Sequence, residues 1–226
     1  GTAPSVPKFL RMQGKVRNRN MQKRDCEQLI NEFWREKTKH NQSKAAGTVT
    51  VSDFLYNFLK SKYGVPAAIA EAGYNLIDAL TRYQYDADCE LFEKIIFGEL
   101  CEETYYDQVE MMDDFIEACK AVDKKKNGKK GGRLGGTLKR PEFMETLKSF
   151  FKFKSPEDIA LLHQAVIYDQ PLPVIKYMKL FDETRDGDQG KFAETLRDQH
   201  LYDSVACYPA IENAIREEVM KNDARA

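Results

Sequence analysis

Two stretches of the chain, about ninety residues apart, carry the same succession of residues, and this repetition constrains the fold more than any other feature. Asp53-Phe54, Lys60-Ser61, Pro66 and Ile69-Ala70 correspond, with small shifts, to Glu142-Phe143, Lys148-Ser149, Pro156 and Ile159-Ala160. In both copies a short extended pair (Val49 to Val51; Thr137-Leu138) leads into a helix, a proline-containing cap and a second helix. A unit that recurs at such a period is one supersecondary element used twice, so the expectation is a doubled four-helix arrangement.

Apolar spacing fills in the remaining elements. Cys26, Leu29, Ile30, Phe33 and Trp34 fall three and four residues apart, which predicts a helix from Met21 to about His40 with one buried face. Further helices are expected at Asp53 to Tyr63 behind a Ser52 cap, Pro66 to Tyr83, Asp86 to Gly98, Glu103 to Val122 and Pro141 to Phe153. Three more are expected at Ser155 to Val166, Ile175 to Phe181 and Phe192 to Lys221, the last interrupted near Pro209. Sustained alternation is almost absent, so the class is all-α. The expected division is a basic arm over 1–20, helical pairs over 21–100 and 101–182, and a helical extension over 183–226.

The second copy resembles an EF-hand pair, and its register can be tested. Such a loop needs an acid at position 1, oxygen ligands at 3 and 5, Gly at 6, an apolar residue at 8 and Glu at 12. Asp123, Lys125, Asn127 and Gly128 fill the first places, and an insertion over Lys129 to Gly136 brings Leu138 to position 8 and Glu142 to position 12. Coordination chemistry argues against calcium, because Lys125 stands where an oxygen is required and Lys124 and Lys126 flank it. Asp123, Asn127 and Glu142 are then vestiges of a metal loop. The partner loop begins at Asp169 and lacks further acids, and the turn from Asp182 to Asp188 is explained by a capped helix end.

Three segments together resemble the C-terminal region of the translin-associated factor X-interacting protein family. They are Val6 to Arg19, the helix from Lys23-Arg24-Asp25 to Lys37, and Gly187 to His200. The resemblance implies a scaffold or adaptor in a microtubule-based organelle, and the family offers no catalytic residues to carry over.

The charges balance at a net −1, so any electrostatic contact must be local. Lys8 to Arg24 holds seven basic residues and no acid, among them Lys15, Arg17 and Arg19. Asp123 to Arg140 holds eight, including Lys124, Lys125, Lys126, Lys129, Lys130 and Arg133, interleaved with five glycines. Both are candidate contacts for an anionic partner such as tubulin tails. Between them, twelve acids from Asp86 to Glu117 face Lys94 alone, a surface suited to a basic helix. Met111, Met112, Met144, Phe150, Phe151, Phe153 and Tyr177 could line a groove for an amphipathic helix, or simply build core.

Catalytic signatures are missing: His40, His163 and His200 have neither metal spacing nor a triad-like neighbour, and no nucleophile elbow, phosphate loop or dinucleotide fingerprint occurs. The five cysteines are odd in number and widely spaced, which argues for free thiols. No apolar run suggests a membrane span or secretory leader, so the expected location is cytoplasmic, at the cytoskeleton, cilium or flagellum. The sequence thus points to a non-enzymatic, calcium-independent scaffold without a cofactor. Its competitors are a calcium sensor and a binder of anionic lipid or nucleic acid; the Lys/Gly loop has no aromatic to stack a base.

Overall fold

Most apolar stripes of the sequence become the buried faces of helices in the computed structural model. It describes residues 1–43, 49–127, 135–184 and 188–223, with backbone alone at 126–127 and 218–223. Contacts divide the chain into two units, Gly1–Glu102 and Glu103–Ala226.

In the first unit, α1 (Lys23–Gln42), α2 (Val51–Tyr63), α3 (Pro66–Arg82) and α4 (Ala87–Ile96) enclose one core. Phe33 stands at its centre, its ring 5.1 Å from both Trp34 and Phe92, 5.5 Å from Phe54 and 5.8 Å from Phe58, all edge-on. Edge-to-face geometry sets the positive rim of one ring against the negative face of the next, adding to the gain from burial. Helix ends are set by side chains. Thr50, rather than Ser52, caps α2 by accepting from the Asp53 amide, and the Asp86 carboxylate caps α4 by accepting from the amides of Asp88 and Cys89. Pro66 opens α3, where the missing amide hydrogen costs nothing.

The basic segment ahead of α1 is part of this unit. A 3-10 turn at Lys8–Leu10 buries Phe9 and Leu10 against α2 and α3. The approach is closest at Gly73, where a Cβ would meet the Phe9 carbonyl oxygen at 2.5 Å. Farther along, the Asn75 amide accepts from the Arg19 amide and donates to the Arg17 carbonyl at 2.9 Å, fixing the extended backbone. Few apolar residues suffice because backbone bonds hold the rest.

The second unit contains α5 (Glu103–Asn127), β1 (Leu138–Lys139), α6 (Arg140–Phe150), α7 (Pro156–Asp169), β2 (Val174–Ile175) and α8 (Lys191–Tyr202). A π-helical turn at Asp203–Cys207 then joins α8 to α9 (Tyr208–Asp223). Phe115 is the hub of this core, with Phe143 at 5.7 Å, Phe151 at 5.4 Å and Phe192 at 6.0 Å. The two strands pair antiparallel, Leu138 with Ile175 and Lys139 with Val174, and so join the connection between α5 and α6 to that between α7 and α8.

The class is helical as expected, with one segment corrected. The helix expected over Ile175 to Phe181 is instead β2 followed by a 3-10 turn at Tyr177–Lys179. Burial alternates there, with Ile175 and Tyr177 inside and Val174 and Lys176 outside, which is the period of a strand. Pro171 and Pro173 keep the preceding backbone extended. The interruption expected near Pro209 is present as the π turn at Asp203–Cys207, just ahead of the proline in the first turn of α9.

Candidate interaction surfaces

Much of the acidic run from Asp86 to Glu117 is spent inside the first unit, a correction to its reading as a continuous surface facing Lys94 alone. Lys37 is 2% exposed, and its ammonium reaches Glu102 at 2.9 Å and Asn41 at 2.8 Å. A buried cation needs such a partner, so Glu102 serves the fold. Asp86 is shared between the α4 cap and the Lys23 ammonium at 3.0 Å. Burial works against the Lys23 charge, yet Asp86 and Glu27 outweigh it and hold its pKa above the usual lysine value. Glu93 accepts from Gln84 at 3.0 Å, and Glu90 and Glu99 bracket Lys94.

On α5 the acids are different. Glu103, Asp107, Glu110, Asp114 and Glu117 are exposed at helical spacing, so they form one stripe, relieved by a Glu117–Lys120 pair at 2.7 Å. Opposite this stripe Met112, Phe115 and Cys119 enter the core. Burial pushes the Cys119 thiol up to about 12, so it packs as an apolar group.

The basic candidates separate in the same way. Arg19 pairs with Glu71 and Lys8 with Asp53 at 2.6 Å, the latter holding the Asp53 carboxyl below its ordinary range. Lys15 and Arg17 are exposed, and among the described residues neither forms an ion pair. At the end of α5, Lys124 and Lys125 are exposed as well. The side chains of Lys126, Asn127, Lys129, Lys130 and Arg133 lie outside the described residues.

Asp123 itself is fully buried. Its carboxylate accepts from the Tyr177 hydroxyl at 2.8 Å and from the Gly136 amide at 2.9 Å. Burial, reinforced by this bond, raises the tyrosine pKa, so the hydroxyl stays a donor. Glu142 has another task, accepting from the Lys139 amide at 3.2 Å across the first turn of α6. Asp123 and Glu142 are thus both engaged locally, one by a strand-borne tyrosine and the other by a helix start.

Asp169 is a cap. Its two oxygens accept from the Lys191 and Phe192 amides, each at 2.8 Å, tying the end of α7 to the start of α8. Beside it opens a cleft of about 540 Å³ lined by Leu172, Val174, Lys176, Lys179, Leu180 and Asp182, among others. Of the Asp182 to Asp188 turn, residues 185–187 lie outside the described residues.

Sequence reasoning missed the Tyr177–Asp123 bond and the cleft. The period-two pattern from Val174 to Tyr177 was the available signal. Of the suggested groove lining, Met112, Phe151 and Tyr177 are core, Met111, Met144 and Phe150 pack against it, and Phe153 is 91% exposed. Among the described residues no three His, Cys, Asp or Glu side chains converge as a metal site, and no helix is long and apolar enough to cross a membrane.

No family model matches the chain, and no solved structure matches it. Among curated proteins it is similar to mouse translin-associated factor X-interacting protein 1, 25% identical over 209 residues, which are 91% of this chain and 28% of that protein. The human protein of the same name is 26% identical over 204 residues, covering 89% of this chain and 29% of its own length. The chain spans a little over a quarter of the length of these curated relatives. Over about nine tenths of its own length, it is thus related to the translin-associated factor X-interacting proteins.

Proposed function

We propose that the chain is a non-enzymatic protein-interaction module, a scaffold or adaptor of a ciliary or cytoskeletal assembly that works without calcium. The observation that carries this reading is the similarity, across nearly the whole chain, to two proteins named for an interaction with translin-associated factor X. That protein is the first partner to try. In calorimetry, binding to the purified chain, equal in calcium and in chelator, is the expected result; absence of binding together with absence of microtubule co-sedimentation would sink the reading.

The second unit is read as an EF-hand-like pair that has exchanged its ion for internal bonds. Supporting this are the strand pair joining the two connecting loops, with Leu138 at position 8, and Asp123 at position 1. A carboxylate already taking a phenol and an amide has lost the geometry a hard cation demands, and the lysines beside it repel one. A calcium titration at millimolar concentration should therefore be flat. For the cytoskeletal part, co-sedimentation with microtubules is expected to weaken with salt and with replacement of Lys124, Lys125, Lys126, Lys129, Lys130 and Arg133 by Ser. In this reading the basic arm over 1–20, with Lys15 and Arg17, contributes a second anionic contact.

A further inference from the structure

Three apolar side chains stand in water at one end of the second unit. Leu172 is 66% exposed, Val174 43% and Met178 50%. They lie together: Val174 is on β2, Leu172 two residues before it, and Met178 packs beside Gly136, where a Cβ would meet its Cγ at 3.3 Å. Pleating sets Lys139 on the same outer face as its cross-strand partner Val174. Lys176 and Lys179 follow on the same excursion, and Lys124 and Lys125 are next in sequence to Asp123, which is bonded to Gly136 and Tyr177. All five lysines are exposed, and among the described residues none forms an ion pair. Lys8, Arg19, Lys23, Lys37, Lys62, Lys94, Lys154 and Lys191, in contrast, all have carboxylate partners.

We infer that this end of the second unit is a docking surface for an acidic protein segment carrying a bulky apolar side chain. The inference rests on the reading of the chain as an interaction module and names the chemistry of a partner. Cationic groups around an apolar centre attract an anionic segment and leave its apolar residue a place to be desolvated. The cleft of about 540 Å³ between β2 and the wall at Leu180 and Asp182 starts at Leu172 and Val174 and gives that side chain a concave seat. Concavity favours a peptide over a flat bilayer, which would bridge the cleft and leave it wet. Asp182 and Asp188 on the far wall orient the segment, holding its acids to the lysine side. Among the described residues no exposed aromatic ring stands on the patch to stack a nucleic-acid base.

The test is an array of short synthetic peptides with graded Glu content, each with and without a central Leu, exposed to the intact chain and to three variants. Capture should require both acid and Leu, and should fall by about tenfold or more in the combined Lys139→Glu, Lys176→Glu, Lys179→Glu variant. The corresponding Lys→Gln variant should lose less, and Val174→Ser should lose the preference for Leu while keeping that for acid. Unchanged circular dichroism shows that the variants fold. Equal capture by all variants would overturn the surface, as would retention on phosphatidylserine vesicles without peptide capture. If the chain binds translin-associated factor X while capturing no acidic peptide, the docking surface falls and the interaction reading stands. If it binds neither that protein, nor microtubules, nor any peptide, both fall.

Discussion

The two units run through the same order of four helices but close their open end differently. In the second, a two-residue strand pair and the Tyr177–Asp123 bond tie the connections together. In the first, α3 passes to α4 through residues 83–86 alone, and the segment ahead of α1 supplies the missing contacts with Phe9 and Leu10. Two four-helix units are therefore closed in two ways, each of which covers apolar helix faces and satisfies the backbone around them. In the first closure Lys8 and Arg19 are paired while Lys15 and Arg17 stay exposed, and in the second Lys139 and Lys176 stay exposed.

Removing the aromatic hub tests whether both cores depend equally on one ring. Phe33→Ala and Phe115→Ala should each cost about 3–5 kcal/mol. Trp34, the single tryptophan, reports the first unit by fluorescence during urea unfolding, and exchange at α6 and α8 amides reports the second. The closures come next. Gly73→Ala drives a methyl into the Phe9 carbonyl and should cost about 1–3 kcal/mol. It should also make Lys15 and Arg17 faster sites of tryptic cleavage, whereas an unchanged digestion rate would show that the basic segment is not held by this contact. Tyr177→Phe keeps the ring but removes a donor from buried Asp123; a loss of about 1–3 kcal/mol, confined to the second unit, is expected by denaturation.

Acid should separate the units further. Burial lowers the pKa of His200 on α8, while Asp107 on α5 and Asp203 in the π turn pull it back and Lys154 assists burial. Below the ordinary histidine value the unfolded chain then holds more protons than the folded one, so stability falls with pH across the interval down to the lowered pKa. A urea series from neutral to mildly acidic pH should show this in the second unit, and His200→Gln should flatten the histidine part of the slope. The smallest effect is expected at the exposed Lys8–Asp53 pair, where Lys8→Ala should change stability by less than about 1 kcal/mol and that change should vanish in high salt.

Helices were legible wherever one face repeats at three and four residues and a cap or proline marks the start, as at Pro66 or Ser155. The core followed from the same stripes. What escaped depends on partners distant in sequence: Lys37 meets Glu102 across 65 residues, and Tyr177 meets Asp123 across 54. No local spacing encodes such pairings. In the basic segment the dense charge hid two buried residues, Phe9 and Leu10. For the candidate surface, Lys124, Lys125 and Lys139 were visible as part of a charge run, but Lys176 and Lys179 are brought to Lys139 only by the strand pairing.

Asp169 leaves one more mark on this molecule. One carboxylate receives both amides that open α8, and Gly190 is kept small there, since a Cβ would lie 2.8 Å from that oxygen. Departure and return of the chain are thereby pinned to one point, like a loop of thread knotted at its neck. Between these two points β2, Tyr177 and Leu180 stay committed to the core, so only the exposed positions of the excursion can change while α7 and α8 keep their phase.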